Sequence, residues 1–277
     1  MFFHSLQFAS AFLAFSLFIV CYSSNPPILH TAINISQAAY CMSDLEYWSC
    51  YTCSNNFLYE TKLNKNSELV IFGYDETYNS IFIGFRGSSN IQNWISDIKI
   101  MLIHPYADNS IAVDKGFYKL YDILKPNLMS IISNLAMKYN TKDLFITGHS
   151  LGGALATICA FDMLYHEFQY NVKYLVTFGS PRIGNVYFSD YFNSFQIESK
   201  RVTHYYDIVP HVPEEFLGYK HISNEIWYNE DNTNYYVCND TYNEDTTCSN
   251  SCAPTKCTST SDHLNYLNIS MGNNGFC

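Results

Sequence analysis

Leu144-Phe145-Ile146-Thr147-Gly148-His149-Ser150-Leu151-Gly152-Gly153-Ala154 is the stretch on which the reading of this chain turns. Leu144 to Thr147 is an apolar run of strand length, and Leu151 to Phe168 continues with the composition of a buried helix. Between them Gly148 and Gly152 flank Ser150 in the pattern G-x-S-x-G. A strand that passes into a helix through so few residues needs a sharp turn, and glycine lets the two backbones approach without a side chain between them. Such a turn lifts a serine hydroxyl above the end of a sheet, where it can attack a substrate. A tight turn without chemistry is the plainer alternative, and the strand before Ser150 with the helix after it favours the nucleophile.

A serine hydroxyl becomes a useful nucleophile only when a histidine accepts its proton, and that histidine needs a carboxylate to orient it. For a serine on such a turn the expected chain order is serine, acid, histidine. Asp207 follows the strand-like Val202 to Tyr206 and precedes Ile208-Val209-Pro210, which puts it at a strand's C-terminal end; Asp190 lacks that placement. His4, His30, His104, His149 and His166 lie before or close to the nucleophile, leaving His204, His211, His221 and His263. His263, in Ser261-Asp262-His263-Leu264, opens a short helical stretch after a flexible loop. Position by itself leaves His211 and His221 in contention with it.

Acyl transfer also requires N–H or O–H donors for the developing oxyanion. The backbone of Leu151 supplies one candidate. Arg86-Gly87-Ser88-Ser89, closing the strand Ile81 to Phe85, supplies another in Ser88, whose N–H and hydroxyl are both available. Directly afterwards Ile91, Trp94, Ile95 and Ile98 fall at i, i+3, i+4 and i+7, an apolar stripe with Gln92, Asn93, Ser96 and Asp97 on other faces. It reads either as a surface helix docked on the core or as a lid that opens when its apolar face meets lipid.

Around this centre the pattern alternates. Leu69 to Tyr74 and Ile81 to Arg86 read as paired strands, Gly116 to Tyr139 as a helix, Tyr174 to Phe178 as a strand, Asn185 to Phe195 as a helix. A helical segment is expected near Ser36 to Met42. Strands alternating with helices imply a largely parallel sheet in an α/β fold. Beyond Lys220 the composition shifts to Asn, Thr, Ser, Asp and Cys, so disulfide-pinned loops around a short helix at His263 to Leu267 are expected. No Walker loop, dinucleotide-binding glycine pattern or metal-ligand histidine cluster is present, and neither a cofactor nor a metal is expected.

Composition narrows the class. Of 277 residues 48% are hydrophobic and 14% charged, which supplies a sizeable core. The net charge of −10, from 25 acids and 15 bases, argues against nucleic acid and anionic membranes, but not against a neutral lipid surface. Leu6 to Val20 is a mostly apolar run followed by Cys21, Ser23, Ser24, Pro26 and Pro27, as in a signal peptide of residues 1–23 cleaved near Ser23; it is too short for a membrane span. The n-region carries only His4, so an uncleaved anchor is the alternative. Residues 24–277 then form a single catalytic domain. Of 10 cysteines, Cys21 would leave with the leader and Cys159 sits in an apolar run as a core thiol, leaving eight for four bridges. Cys50 with Cys53 and Cys238 with Cys248 are close enough in sequence for local loops. Asn34-Ile35-Ser36, Asn239-Asp240-Thr241 and Asn268-Ile269-Ser270 have the form of glycosylation acceptors.

Taken together, Ala38-Ala39-Tyr40-Cys41, Phe85-Arg86-Gly87-Ser88-Ser89, Asn93-Trp94, Thr147 to Ala154, Phe178-Gly179-Ser180-Pro181-Arg182, Asp207-Ile208-Val209-Pro210 and Asp262-His263 resemble the fungal-type class 3 triacylglycerol lipases over most of the chain. The resemblance implies an α/β-hydrolase fold, a mostly parallel central sheet with helices on both faces and a helical lid. It implies Ser150, Asp207 and His263 as the catalytic triad, Ser88 and Leu151 as the oxyanion hole, and Ile91, Trp94, Ile95 and Ile98 as lid. It maps bridges onto Cys41 with Cys277, Cys50 with Cys53, and Cys238 with Cys248, leaving Cys252 with Cys257 as an extra pair. The substrate it implies is a lipid ester at an oil–water interface, met by a secreted monomer; a vacuolar or lysosomal lumen is the alternative site. Phospholipase A1, galactolipase or feruloyl-esterase activity, or non-catalytic lipid binding, are the competing functions. The pattern departs from the family at Val113-Asp114-Lys115-Gly116-Phe117, where relatives often carry histidine in place of Asp114.

Overall fold

The computed structural model describes residues 21–22, 24–41, 45, 48–53, 56–97, 100–239, 244–272 and 277. Of the expected leader 1–23, residues 1–20 and the cleavage point at Ser23 lie outside them, as does Ile98 of the apolar stripe, whereas Cys21 and Tyr22 are described.

Six α-helices are described: α1 (Pro27–Ala38), α2 (Ile91–Asp97), α3 (Lys115–Tyr139), α4 (Leu151–Tyr165), α5 (Val186–Ser194) and α6 (Thr260–His263). They surround a nine-stranded sheet whose order is Cys21–Tyr22, Tyr235–Val237, Glu225–Tyr228, Glu198–His204, Asn171–Phe178, Asp143–His149, Ser80–Phe85, Glu68–Asp75 and Phe57–Lys65. The five central strands, Glu225–Tyr228 through Ser80–Phe85, run parallel to one another, and the flanking pairs are antiparallel. This is the largely parallel sheet that the strand–helix alternation implies, and the α/β-hydrolase architecture that the resemblance implies.

Strand residues alternate between two cores, as the two-residue period requires. Ile81, Ile83, Phe85, Leu144, Ile146 and Leu175 point to one face, where α3, α4 and α5 cover them with residues such as Tyr121, Leu124, Leu155, Ile158 and Phe188. Phe82, Phe145, Val176, Phe178 and Val202 point to the other, under Leu29, Ala32, Ile33 and Ile35 of α1. The central strands are therefore apolar on both faces, which is why they read as continuous apolar runs.

Two readings differ from what the chain does. The first helix spans Pro27–Ala38 rather than Ser36 to Met42. Pro27 occupies its first turn, where the missing N–H costs nothing, and Ile28, Leu29, Ala32, Ile33 and Ile35 supply the buried face. The segment beyond Lys220 also contributes strands, Glu225–Tyr228 and Tyr235–Val237, which extend the main sheet. Its polar composition belongs to the connections between them. The short helix there is Thr260–His263, and Asn265–Tyr266 has already begun a strand.

Four disulfides join Cys41 with Cys277, Cys50 with Cys53, Cys238 with Cys248 and Cys252 with Cys257, and Cys159 is a free, buried thiol. No helix among the described residues is long and apolar enough to cross a membrane.

Candidate active site

Ser150 stands at the junction of the central strand Asp143–His149 and α4, with φ 59° and ψ −130°. Positive φ is strained for a serine, of order 1–3 kcal/mol, and is held here by its surroundings. The Ser150 N–H donates to the Phe178 carbonyl of the neighbouring strand at 2.9 Å. Gly148 and Gly152 make the turn fit: a Cβ on Gly148 would fall 2.3 Å from the Gly152 oxygen, and one on Gly152 would fall 2.2 Å from the Phe85 oxygen. The second contact brings the elbow against the end of the strand Ser80–Phe85 and so against the loop that carries Ser88.

Asp207 and His263 arrive from the next parts of the chain in the order read from the sequence. Asp207 lies just beyond the strand Glu198–His204, and Ser259 joins the two segments: its N–H donates to the Tyr206 oxygen at 3.0 Å and its carbonyl accepts from Ile208 at 3.2 Å. The Ser259 hydroxyl then accepts from the Asp262 N–H at 3.0 Å and caps α6, which presents His263. His263 Nδ1 meets Asp207 Oδ2 at 2.8 Å and Oδ1 at 3.0 Å. Facing a carboxylate, Nδ1 carries the hydrogen, which leaves Nε2 as a bare acceptor. Asp207 also accepts from the Val209 N–H at 2.8 Å and from the Tyr266 hydroxyl at 2.5 Å. Burial and then the Asp207 charge push the Tyr266 phenol well above its ordinary range, so it stays a donor.

Ser150, Asp207 and His263 are all buried. Ser150 Oγ and His263 Nε2 are each shielded from solvent without a hydrogen-bond partner, whereas every other polar atom of the Asp207–His263 pair is engaged. A nucleophilic oxygen and an imidazole acceptor left open while their neighbours are satisfied is the arrangement from which a proton can be moved.

The competing histidines are occupied otherwise. His221 Nε2 donates to the Pro210 carbonyl at 2.6 Å, and burial holds the ring well below its ordinary pKa. His204 is held between the carbonyls of Asp262 and Glu230 at 2.9 and 3.1 Å. His211 packs at 3.6 Å from Cys252 Sγ, and burial pushes its pKa down to about 4. Among the described residues His211, Cys252 and Cys257 are the one group with clustered metal-ligand atoms, and the two sulfurs are spent in a disulfide.

Ser88 and Leu151 flank a groove of about 700 Å³ lined by Trp94, Met101, Phe117, Leu120 and Asp114. Leu151 is the first residue of α4, so its N–H points out of the positive end of a helix. In α2, Ile91 is buried, Trp94 and Ile95 are half-buried, and the Trp94 ring stacks on Phe117 at 6.2 Å. Asp114 is the hub of the far wall: it accepts from the N–H groups of Gly116 and Phe117 at 2.7 and 3.2 Å and from the Tyr219 hydroxyl at 2.8 Å. Tyr40, Tyr219 and Tyr266 had no signal in spacing or motif that tied them to chemistry. Their partners are 109, 105 and 59 positions away, and a tyrosine in an apolar context reads as core.

Known proteins resemble this chain over most of its length. Residues 82–217 match the model of the lipase (class 3) family. A lipase from Rhizomucor miehei is 32% identical over 249 residues, which is 86% of this chain and 67% of the relative. A lipase from Rhizopus niveus is 30% identical over 248 residues, covering 86% and 62%. Among solved structures, a triacylglycerol lipase described as having a serine protease triad at its catalytic centre superposes with TM-score 0.82 at 28% identity, over 91% of this chain and 99% of the other. The Rhizomucor miehei triacylglyceride lipase superposes with TM-score 0.80 at 28% identity and the same coverage. Full coverage of those solved chains, in the fold that carries the elbow at Ser150, leads to one assignment: the chain belongs to the class 3 lipase family and is a lipid ester hydrolase.

Proposed function

We propose that the chain cleaves triacylglycerol through an acyl-enzyme on Ser150. The observation that carries the reading is the pair of open, buried atoms, Ser150 Oγ and His263 Nε2, beside an Asp207 whose hydrogen bonds are complete. In this mechanism Oγ attacks the ester carbonyl while His263 Nε2 takes its proton. The carbonyl oxygen becomes an oxyanion, held by the Leu151 N–H and by Ser88. His263 returns the proton to the departing alcohol, which leaves an acyl-serine; water, deprotonated by the same nitrogen, releases the fatty acid and restores the hydroxyl.

The surroundings support a lipid surface as the place of work. The groove beside Leu151 carries Trp94, Met101, Phe117 and Leu120, and Phe216, in the turn before Tyr219, is 84% exposed. Helix α2 acts as the lid, with Trp94 on its apolar face. Net charge of −10 suits a neutral interface rather than an anionic one. We place the mature unit at residues 24–277, secreted and monomeric, so that the edge strand Cys21–Tyr22 leaves with the leader and Tyr235–Val237 becomes the sheet's edge. A secreted mono- and diacylglycerol lipase from Fusarium solani, 33% identical over 153 residues and matching 55% of this chain, supports export, as do the four disulfides.

Fluorophosphonate labelling tests the mechanism, since only an activated serine reacts. The wild type labels and Ser150→Ala does not; equal labelling of both would overturn Ser150 as nucleophile.

A further inference from the structure

The triad and oxyanion groups leave unused the histidine next to the nucleophile and the tyrosine of Ala38-Ala39-Tyr40-Cys41. Both are buried, and both touch the machinery. His149 Nε2 lies 2.8 Å from the His263 carbonyl oxygen, and its Nδ1 lies 2.8 Å from the Tyr40 hydroxyl. A carbonyl can only accept, so Nε2 carries the hydrogen; in the neutral ring Nδ1 is then an acceptor, and Tyr40 donates to it. The hydroxyl oxygen of Tyr40 in turn faces the Gly87 peptide: a Cβ on Gly87 would fall 2.2 Å from it and 2.6 Å from the His149 oxygen. Gly87 precedes Ser88. One phenol therefore touches the loop of the oxyanion hole, the residue before the nucleophile and, through His149, the backbone of the general base.

We propose that Tyr40 and His149 are positioning residues for acyl transfer, a relay that fixes Ser88, Ser150 and His263 against one another and keeps His149 as a neutral bystander. The proposal rests on the reading of Ser150 as nucleophile. His149 needs such a lock because its ring centroid lies 4.5 Å from that of His263. A mobile or charged imidazole at that distance would compete for the serine proton or oppose the charge that His263 acquires. With both ring nitrogens committed, His149 can do neither. Burial first, and the nearby His263 second, hold its pKa well below the ordinary histidine value, in keeping with a permanently neutral ring. Tyr40 is itself anchored, because the next residue, Cys41, is tied to Cys277.

The test is Tyr40→Phe, which removes one oxygen and little packing, read on a soluble ester below its solubility limit. The expected result is a kcat lower by roughly 10- to 100-fold at a KM near wild type, with fluorophosphonate labelling slowed in proportion, as misplacement of a preorganised site gives. His149→Phe, which keeps a planar ring but can neither donate to the His263 carbonyl nor receive from Tyr40, should lose kcat in the same way. A folded Tyr40→Phe protein with wild-type kcat, or one whose KM rises while kcat stays, overturns the proposal. Ser150→Ala run alongside separates the two readings: full turnover in that variant removes the nucleophile assignment, whereas an inactive Ser150→Ala beside a fully active Tyr40→Phe removes only the relay.

Discussion

Tyr266 donates its hydroxyl hydrogen to Asp207 Oδ2 at 2.5 Å, the same oxygen that meets His263 Nδ1 at 2.8 Å. Asp207 is thus oriented by a phenol from the strand that begins two residues beyond His263, its proposed partner in the triad. Tyr266→Phe should leave a buried carboxylate one donor short. A stability loss of about 1–3 kcal/mol is expected, with kcat reduced several-fold, and urea unfolding alongside ester kinetics measures both. Unchanged stability and unchanged kcat would show that the hydroxyl does nothing for Asp207.

Asp207→Asn preserves shape and removes the charge that fixes the Nδ1–H tautomer of His263. The expected fall in kcat is about 10⁴-fold, as for the equivalent change in other serine triads, while the melting profile stays close to wild type. Burst kinetics with a soluble ester distinguish slowed acylation from lost binding.

Acid should weaken the fold in two overlapping steps. Burial holds the pKa of His211 down to about 4 in the folded state. The unfolded chain therefore gains a proton between about 6.5 and 4 that the folded chain refuses, and stability falls as pH drops through that window. Burial by itself would raise Glu244, but hydrogen bonds from Arg182 at 2.9 Å and nearby positive charge hold it at about 2. Its contribution is complete above the ordinary carboxylate pKa and is lost between about 4.5 and 2, a change of about 3 kcal/mol. Thermal melts from pH 7 to pH 2 should decline throughout, and Glu244→Gln should flatten the lower window while lowering stability at pH 7. A curve that rises on acidification would contradict both assignments.

Substitution at Gly152 tests the elbow from the other side. Gly152→Ala puts a methyl 2.2 Å from the Phe85 oxygen, a backbone atom that cannot swing away. The strand Ser80–Phe85 and α4 must separate, which costs about 1–3 kcal/mol and moves the Ser88 loop away from Leu151. Lower melting temperature together with slowed fluorophosphonate labelling is the expected pair of outcomes. Wild-type labelling would mean that the turn is less closely fitted than the geometry implies.

Much of this was legible beforehand because it is local. A strand, a G-x-S-x-G and an apolar helix occupy consecutive residues, so Ser150 and the parallel sheet follow from a short window of sequence. The spacing of Asp207 after its strand is local too. What spacing could not decide is which distant side chains meet. His211, His221 and His263 were equivalent by position, and only three-dimensional pairing shows His221 on the Pro210 carbonyl and His263 on Asp207. Tyr266 carries no local signal for the same reason, and Tyr40, although part of Ala38-Ala39-Tyr40-Cys41, gives no hint in spacing of its distant partner His149. The strands at Glu225–Tyr228 and Tyr235–Val237 are only four and three residues long, so their apolar windows are too short to show a period among polar connections.

Trp94 carries the lid hypothesis, with its ring stacked on Phe117 at 6.2 Å. The rate on a partly soluble ester should rise sharply as its concentration passes the solubility limit, and Trp94→Ala should blunt that rise several-fold. A rate that tracks concentration smoothly from monomers to emulsion would rule out interfacial activation.

The most direct measurement is hydrolysis of emulsified triolein by wild type and Ser150→Ala, beside a soluble short-chain ester and a phospholipid. The account predicts triolein turnover in the wild type and none in the variant. Turnover of only the soluble ester or the phospholipid would keep the triad and contradict the triacylglycerol assignment, and triolein turnover that survives Ser150→Ala would contradict the mechanism itself.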